Sequence, residues 1–466
     1  LYKNYSPNKI ATNQFIEYNL DIQNKIVDLF VPKLEIADQT SISGKITADN
    51  GEFVLIMNTP FVKYGDNKLT NIQIDVNSLR ENQNAFIAID TIDLKAYKAY
   101  DFVLNNAKKN DTLYVDTQFK GGAEAADKYY LNFYHTIDEK NKSVVGIQKS
   151  EIQFKESLWF LNEFNNDKNR IIFNKEINDF VIEDIQLSHN EQMVLLNGSM
   201  HGNNYKDLNL EFENVELDKI TPDLTNLTFA GLINGNVSFV QEHNVFKPKS
   251  KLNVENLEIN DVMLGLFNFE VEGDESLQNF NVRSNIVNDF TENFYMNGLI
   301  SVSKGQSKLN LDAGFNKFNL KAIAPFLSSI MSDVRGDASG RATIQGTHKD
   351  PDIEGKLYLT NAGMRPVFTG VDYLFDENAP LDVTESQFIL RNINITDSKH
   401  KTKGLLNGTI SHNKLKNWNI DAKLSSDNLL ALDSDYKEGT PYYGTAFIDG
   451  SATIKGPVES LVVTIE

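Results

Sequence analysis

The chain has 466 residues, of which 64 are acidic and 45 basic, for a formal net charge of −19. Nucleic-acid surfaces and polybasic membrane contacts both need clustered Lys and Arg, so this balance argues against either as a partner. With no cysteine, disulfides and thiolate metal sites are excluded.

The length suffices for about three average domains. Hydrophobic residues make up 41% of the chain, which is lean but adequate for an elongated protein with a thin core. No apolar run approaches the roughly 18 residues of a membrane-spanning helix. The chain opens Leu1-Tyr2-Lys3-Asn4, without an apolar leader, and ends on Val462-Val463-Thr464-Ile465 in a strand-like pattern. Both ends are therefore expected to be cuts within a longer protein.

In chain order, the first elements read as strands at Ser41 to Ile46, Phe53 to Met57, Ile72 to Val76, Phe86 to Ile89 and Leu113 to Phe119. Turn signals separate strands at Asp49-Asn50-Gly51, Gly65-Asp66-Asn67, Asn110-Asp111 and Asn197-Gly198, where Asn, Asp and Gly tolerate tight backbone angles. Beyond residue 200 the alternation becomes strict. Leu208-Asn209-Leu210-Glu211-Phe212-Glu213 sets three apolar side chains against three polar ones. Lys251 to Glu255, Lys308 to Asp312 and Trp418 to Leu424 behave alike. Successive strand side chains point to opposite faces, so each segment predicts one wet and one dry face. Leu320 to Val334 is the best helix candidate; Pro325 belongs in a first turn, which puts the helix start near Ala324, capping an end of the sheet.

An internal repeat organises the C-terminal two thirds. Leu196-Asn197-Gly198, Met296-Asn297-Gly298 and Leu406-Asn407-Gly408 share one pattern, spaced 100 and 110 residues apart, and each precedes an alternating strand. An apolar-x-Pro corner follows in two copies, Ile220-Thr221-Pro222 and Ile323-Ala324-Pro325; the third has Leu430-Ala431-Leu432. A glycine-centred strand closes each unit, around Gly235, Gly340 and Gly450. The order and spacing predict three tandem β repeats of about 105 residues, at about 163–265, 266–370 and 371–466, after a diverged part of the same rod at 1–162. No Pro/Gly/Ser-rich linker marks a boundary.

Chemistry-bearing patterns are scarce. His135, His189, His201, His243, His348, His400 and His412 form no HxH or HExxH pair with ligand spacing, so they read as surface or loop residues. There is no GxSxG elbow and no phosphate-binding glycine loop. Asp49-Asn50-Gly51-Glu52 lacks the spacing of a calcium loop. The expectation is a non-enzyme without metal or cofactor. The apolar strand faces remain. They fit a dry sandwich core or an open trough filled by acyl chains, each buried CH2 contributing about 0.8 kcal/mol; alternation alone does not separate the two.

Residues 336–363, GDASGRATIQGTHKDPDIEGKLYLTNAG, resemble the TamB family of the AsmA-like superfamily. The matching positions are Gly340, Gly346, Asp350, Pro351, Gly355, Leu357, Leu359, Ala362 and Gly363: a glycine-spaced strand, an Asp-Pro turn and a Gly-x-Leu-x-Leu strand. Val371-Asp372-Tyr373 and a Leu405-Leu406-Asn407-Gly408 turn fit as well, and Gly146 to Lys155 with Trp159 looks like the Bacteroidota form. The resemblance covers 140–466 best and brings no catalytic residues.

It implies an all-β fold, an elongated repeating β-groove or β-taco with a few short helices. It implies a periplasmic location as the middle of a protein anchored in the inner membrane, and phospholipid passage to the outer membrane in support of outer-membrane biogenesis. It implies a TamA-type barrel of the BamA superfamily as partner, met through parts outside this chain, since neither the membrane anchor nor the family's C-terminal section is evident. On that reading Leu208, Leu210, Phe212, Leu252, Val254, Leu309, Leu311, Leu357, Leu359, Ile420 and Leu424 line the groove, with no specific headgroup site. The rival readings are a structural or adhesive rod with a closed dry core, and a carbohydrate-active β-helix enzyme.

Overall fold

Alternating sequence becomes structure here through antiparallel pairing of each strand with the next. The structure, a computed structural model, describes every residue except 1–10, 23–26, 28–30, 50, 80–83, 96, 222–226, 304–305, 414–415, 437–442 and 466. Among the described residues there are 31 strands against a few short helical turns, and the pairings are antiparallel. Their contacts form two compact units, Leu1–Val215 with Phe239–His243, and Glu216–Ser238 with Asn244–Glu466. This division follows contacts; the repeat boundaries expected at 162, 265 and 370 are a reading of periodicity that it neither marks nor replaces.

In the first unit, Glu52–Tyr64, Asn67–Asn77, Ala85–Leu94, Tyr97–Lys109, Thr112–Gly121 and Asp127–Ile137 pair in chain order. The strand Asp127–Ile137 then takes two short partners along its length, Ser143–Ile147 and Ser150–Phe154. In the second unit, Asn279–Asn288, Thr291–Ser303, Gln306–Asn319, Met331–Thr347 and Asp350–Pro366 form the meander. Asp350–Pro366 likewise takes two partners, Tyr373–Phe375 and Ala379–Thr384, and both continue onto Gln387–Asp397. The strands expected at 41–46, 53–57, 72–76, 86–89 and 113–119 all lie inside longer observed strands.

The long strands do not alternate throughout. The register shifts between Tyr100 and Val103, Val254 and Leu257, Phe315 and Phe318, and Leu390 and Ile393. At each shift a residue stands in the left-handed conformation: Asp101, Asn256, Lys317 and Asn392 have φ of 52°, 52°, 51° and 53°. Such bulges bend a strand and increase its twist while keeping the side-chain register. Asn and Asp tolerate this conformation best among non-glycine residues. The bulge N–H leaves the ladder and needs another acceptor. Lys317 N–H donates to Ser339 Oγ at 2.9 Å and Asn392 N–H to Asn407 Oδ1 at 2.8 Å.

Several sequence expectations change. Asn197-Gly198 and Leu405-Leu406-Asn407-Gly408 are not turns; they lie inside the strands Gln192–His201 and Lys403–Asn413. Asn407 caps a bulge on the neighbouring strand, and the glycines permit close approach. A Cβ on Gly198 would lie 2.1 Å from Asp207 O, and one on Gly298 2.2 Å from Asn310 O. Their φ values of 148° and 153° also belong to glycine. The turn before Asp350-Pro351 is His348-Lys349, and Asp350 and Pro351 open the next strand. Asn50 and Pro222 lie outside the described residues.

The helix expected over 320–334 is a 3-10 helix at Leu320–Leu327, beginning four residues earlier than expected. Asn319 Oδ1 caps it by accepting from Lys321 N–H. Pro325 has no N–H to give an α-helical bond, and the chain is back in a strand by Met331.

Gly298→Ala is expected to lower stability by about 2–4 kcal/mol, from backbone clash and strain together. Urea unfolding measures this; a change below about 0.5 kcal/mol, the scatter of neutral surface changes, would remove the close-approach account.

Candidate functional site: the apolar interior face

Cross-strand register decides which apolar side chains share a face. In the first unit, Ile16 pairs Ile46, which pairs Phe53; Leu20 pairs Ile42, which pairs Met57, then Ile74, Ile87 and Leu104. Further along, Leu208 lies opposite Gly198, Leu210 opposite Leu196 and Phe212 opposite Val194. In the second unit, Leu252 and Val254 face Phe269 and Phe267. Leu309 faces Ile300, and Leu311 lies between Gly298 and Ile344. Leu357 lies between Gly340 and Leu381, Leu359 between Ala338 and Ala379, Ile420 between Ile410 and Gly456, and Leu424 between Leu406 and Ala452. The residues expected to line a groove therefore lie mostly opposite apolar or small neighbours within their own unit. The opposite face carries cross-strand ion pairs such as Lys251–Glu270 and Lys455–Asp421.

Each unit covers its apolar face differently. Near the start it is open: Ile16 is 62% exposed, Leu20 51%, Ile46 41% and Phe53 38%. Leu208, Leu210, Phe212, Leu252 and Leu309 are half-buried. In the segment 338–454 it is sealed, with Leu359, Ile393, Ile395, Leu424, Leu429 and Leu430 in one buried cluster. Soluble proteins seldom leave a contiguous apolar surface uncovered without a use for it.

The seal has identifiable parts. The 3-10 helix lays Leu320 against the cluster, and Asn260 Nδ2 donates to Ala322 O at 2.8 Å. Ile330, buried, packs with Ile410 and Trp418. The connection after Pro366 crosses to the strand Lys416–Ser434. Val367 N–H donates to Ile330 O, Asp433 N–H to Thr369 O, and the Tyr373 hydroxyl to Leu430 O at 2.9 Å. Arg335 pairs with Asp372 at 2.9 Å beside it. Two adjoining apolar cavities of about 60 and 110 Å3 remain beneath, between Ile330, Met331, Met364, Phe375 and Leu390.

Sequence reasoning missed this closure. It also missed an aromatic cluster on the same face, Phe294, Phe315 and Phe318, with ring centroids 5.4–6.2 Å apart. Phe318 follows a bulge and so falls outside the two-residue alternation. The apolar run at 320–330 was the available signal for the closure.

Polar chemistry lies outside the face. Asp179 takes Lys142 at 2.7 Å and His201 at 2.5 Å, and these donors hold its carboxyl below the usual range. Among the described residues, no group of three or more His, Asp or Glu is placed to hold a metal ion. Nor, among the described residues, is any helix long and apolar enough to cross a membrane. Asp397 is buried; burial pushes its carboxyl up, but the Thr402 hydroxyl and the N–H groups of His400, Thr402 and Lys399 outweigh that and hold it below 3.8.

Replacing Asp397 with Ala is expected to cost about 2–3 kcal/mol, since charged hydrogen bonds are lost inside the sealed segment. With the folded value depressed, the stabilisation is complete above about pH 4 and disappears as pH falls through that value. Unfolding of wild type and Asp397→Asn should therefore converge as pH falls through the depressed folded value; a gap that does not narrow in acid would contradict it.

Residues 391–466 match the family model described as the TamB C-terminal domain. No curated protein and no solved structure matches the chain. The match falls on the strands that close the buried cluster, Gln387–Asp397 through Val462–Ile465. It corrects the expectation that nothing of the family's C-terminal section lies in this chain. The similarity to the TamB family thus holds over residues 391–466.

Proposed function

We propose that the interior face is a solvent for lipid acyl chains, and that the chain forms part of a periplasmic scaffold carrying phospholipids between the inner and outer membranes. One observation carries the reading: an apolar face kept in register over many strands, and left open where it begins. Filling it with hydrocarbon removes apolar area from water at about 25 cal/mol per Å2. The TamB-family segment supports the same reading, and with it an outer-membrane barrel as the partner. Headgroups stay in water beyond the trough, so the face selects for tails and offers headgroups no specific site. The closed-core reading has support of its own in the segment 338–454, where protein covers the face.

The test places a photo-crosslinking amino acid at Leu20 or Leu210 on the inward face and at Ser43 or Glu211 on the outward face. Phospholipid adducts are expected from the first pair and not the second, read by mass spectrometry after purification from cells. Equal labelling of both faces, or none, overturns the proposal. Leu210→Asp is expected to slow lipid transfer about 100-fold in a folded protein, since a carboxylate in hydrocarbon costs about 3 kcal/mol. Undiminished transfer by this variant would mean that Leu210 does not line the path.

A further inference from the structure

Two apolar cavities adjoin in this segment, one of them walled by the 3-10 helix. Protein interiors close to crystal density and keep few voids larger than a water molecule. These two adjoin, sharing Ile330, Met331, Met364, Phe375, Leu390 and Ile410 among their walls. Their exposed lining is almost wholly apolar, so neither offers ordered water the polar partners it needs. Cavities of this size class, about 150 Å3, stay dry and admit benzene-sized hydrocarbon.

The walls are suited to a guest. Met331 and Met364 are unbranched and adapt to irregular shapes. The roof is the short 3-10 helix, carrying Leu320, Ile323 and Leu327, and Ile323 is 38% exposed. Its Pro325 contributes no N–H, and the bond from Ser328 N–H to Pro325 O is long, at 3.4 Å. A 3-10 segment with poor hydrogen bonding is a weak roof. The floor belongs to the proposed acyl surface: Leu359 pairs Ala338, which pairs Phe318, and Leu390 pairs Leu381, which pairs Leu357.

We propose that these cavities form a terminal acyl site, which takes the methyl end of one alkyl chain of a lipid beneath the segment Leu320–Leu327. The inference rests on the acyl-chain reading of the face and adds a stopping place to it. The ligand is a saturated hydrocarbon tail, since the exposed walls are almost wholly apolar. A whole tail exceeds the two volumes, so its methyl end enters while the headgroup stays outside.

The chain carries its own reporters. Met331 and Met364 line the cavities. Met57, Met200 and Met296 lie on the inward face elsewhere, while Met193 and Met263 face outward opposite Glu213 and Glu258. With 13C-methyl-labelled methionine in the full chain, n-octane is titrated and the methyl signals followed. The expected result is saturable movement of Met331 and Met364, with Met193 and Met263 still. In Ala422→Ile, which fills one cavity from its wall, that movement should be lost while Met57, Met200 and Met296 respond as before. Ile454→Phe is a second filling variant should the first fold poorly. Unmoved Met331 and Met364 in the wild type, or an undiminished response in a folded filled variant, overturns the site. Unmoved Met57, Met200 and Met296 with a responding Met331 would instead count against the open trough and leave the terminal site standing.

Discussion

Antiparallel register is the constraint on which everything else depends. A slip of one residue between two strands would turn a whole set of inward side chains to water. In the second unit the row Gly340, Leu357, Leu381, Leu390, Gly408, Ala422 and Ile454 crosses seven strands without a polar interruption. Two kinds of force hold such a row in place. Apolar pairs on the inward side lose their burial if a strand slips, and ion pairs such as Lys251–Glu270 lose their partners on the outward side.

Bending would break that register if the strands were ideal. The bulges reconcile the two demands, because an inserted residue at positive φ lets a strand turn and returns its side chains to the inward face. The repeated Leu-Asn-Gly motif serves the same end in its third copy. Asn407 accepts the N–H that the bulge at Asn392 takes out of the ladder, and Gly408 leaves room for Ala422, whose Cα would lie 2.8 Å from a Cβ there. Asn and Gly are thus structural residues of the strands in this chain as well as of its turns.

The two units differ in how their apolar faces are covered. Where the 3-10 helix and the connection after Pro366 close the face of the second, each fully buried Leu or Ile contributes about 1.5–3 kcal/mol to folding. Where the first unit leaves its face open, as around Ile16 and Leu20, that free energy is not realised within the described residues. The closed segment therefore supplies stability that the open one does not. The family match falls on the closed part, so the resemblance and the open surface are independent observations.

Much of this was legible in the sequence. Period-two alternation identified the all-β class and most strands, because side-chain direction along a strand follows from local geometry. The motif order around 336–363 pointed to the TamB family. The turns assigned at Asn197-Gly198 and Asn407-Gly408 failed for a physical reason: Asn-Gly favours tight turns, but it equally suits a strand whose neighbour presses close, and only the neighbour distinguishes the two. Phe318 and Ile393 were hidden because a bulge shifts the count, and bulges are set by the bending that a long sheet must accommodate. Whether the inward face is open or sealed was beyond local reasoning altogether. Alternation specifies that a face is apolar, but what covers it is decided by segments distant in sequence, such as Leu320–Ile330 lying over Leu390 and Ile410, and those meet only once the chain has folded.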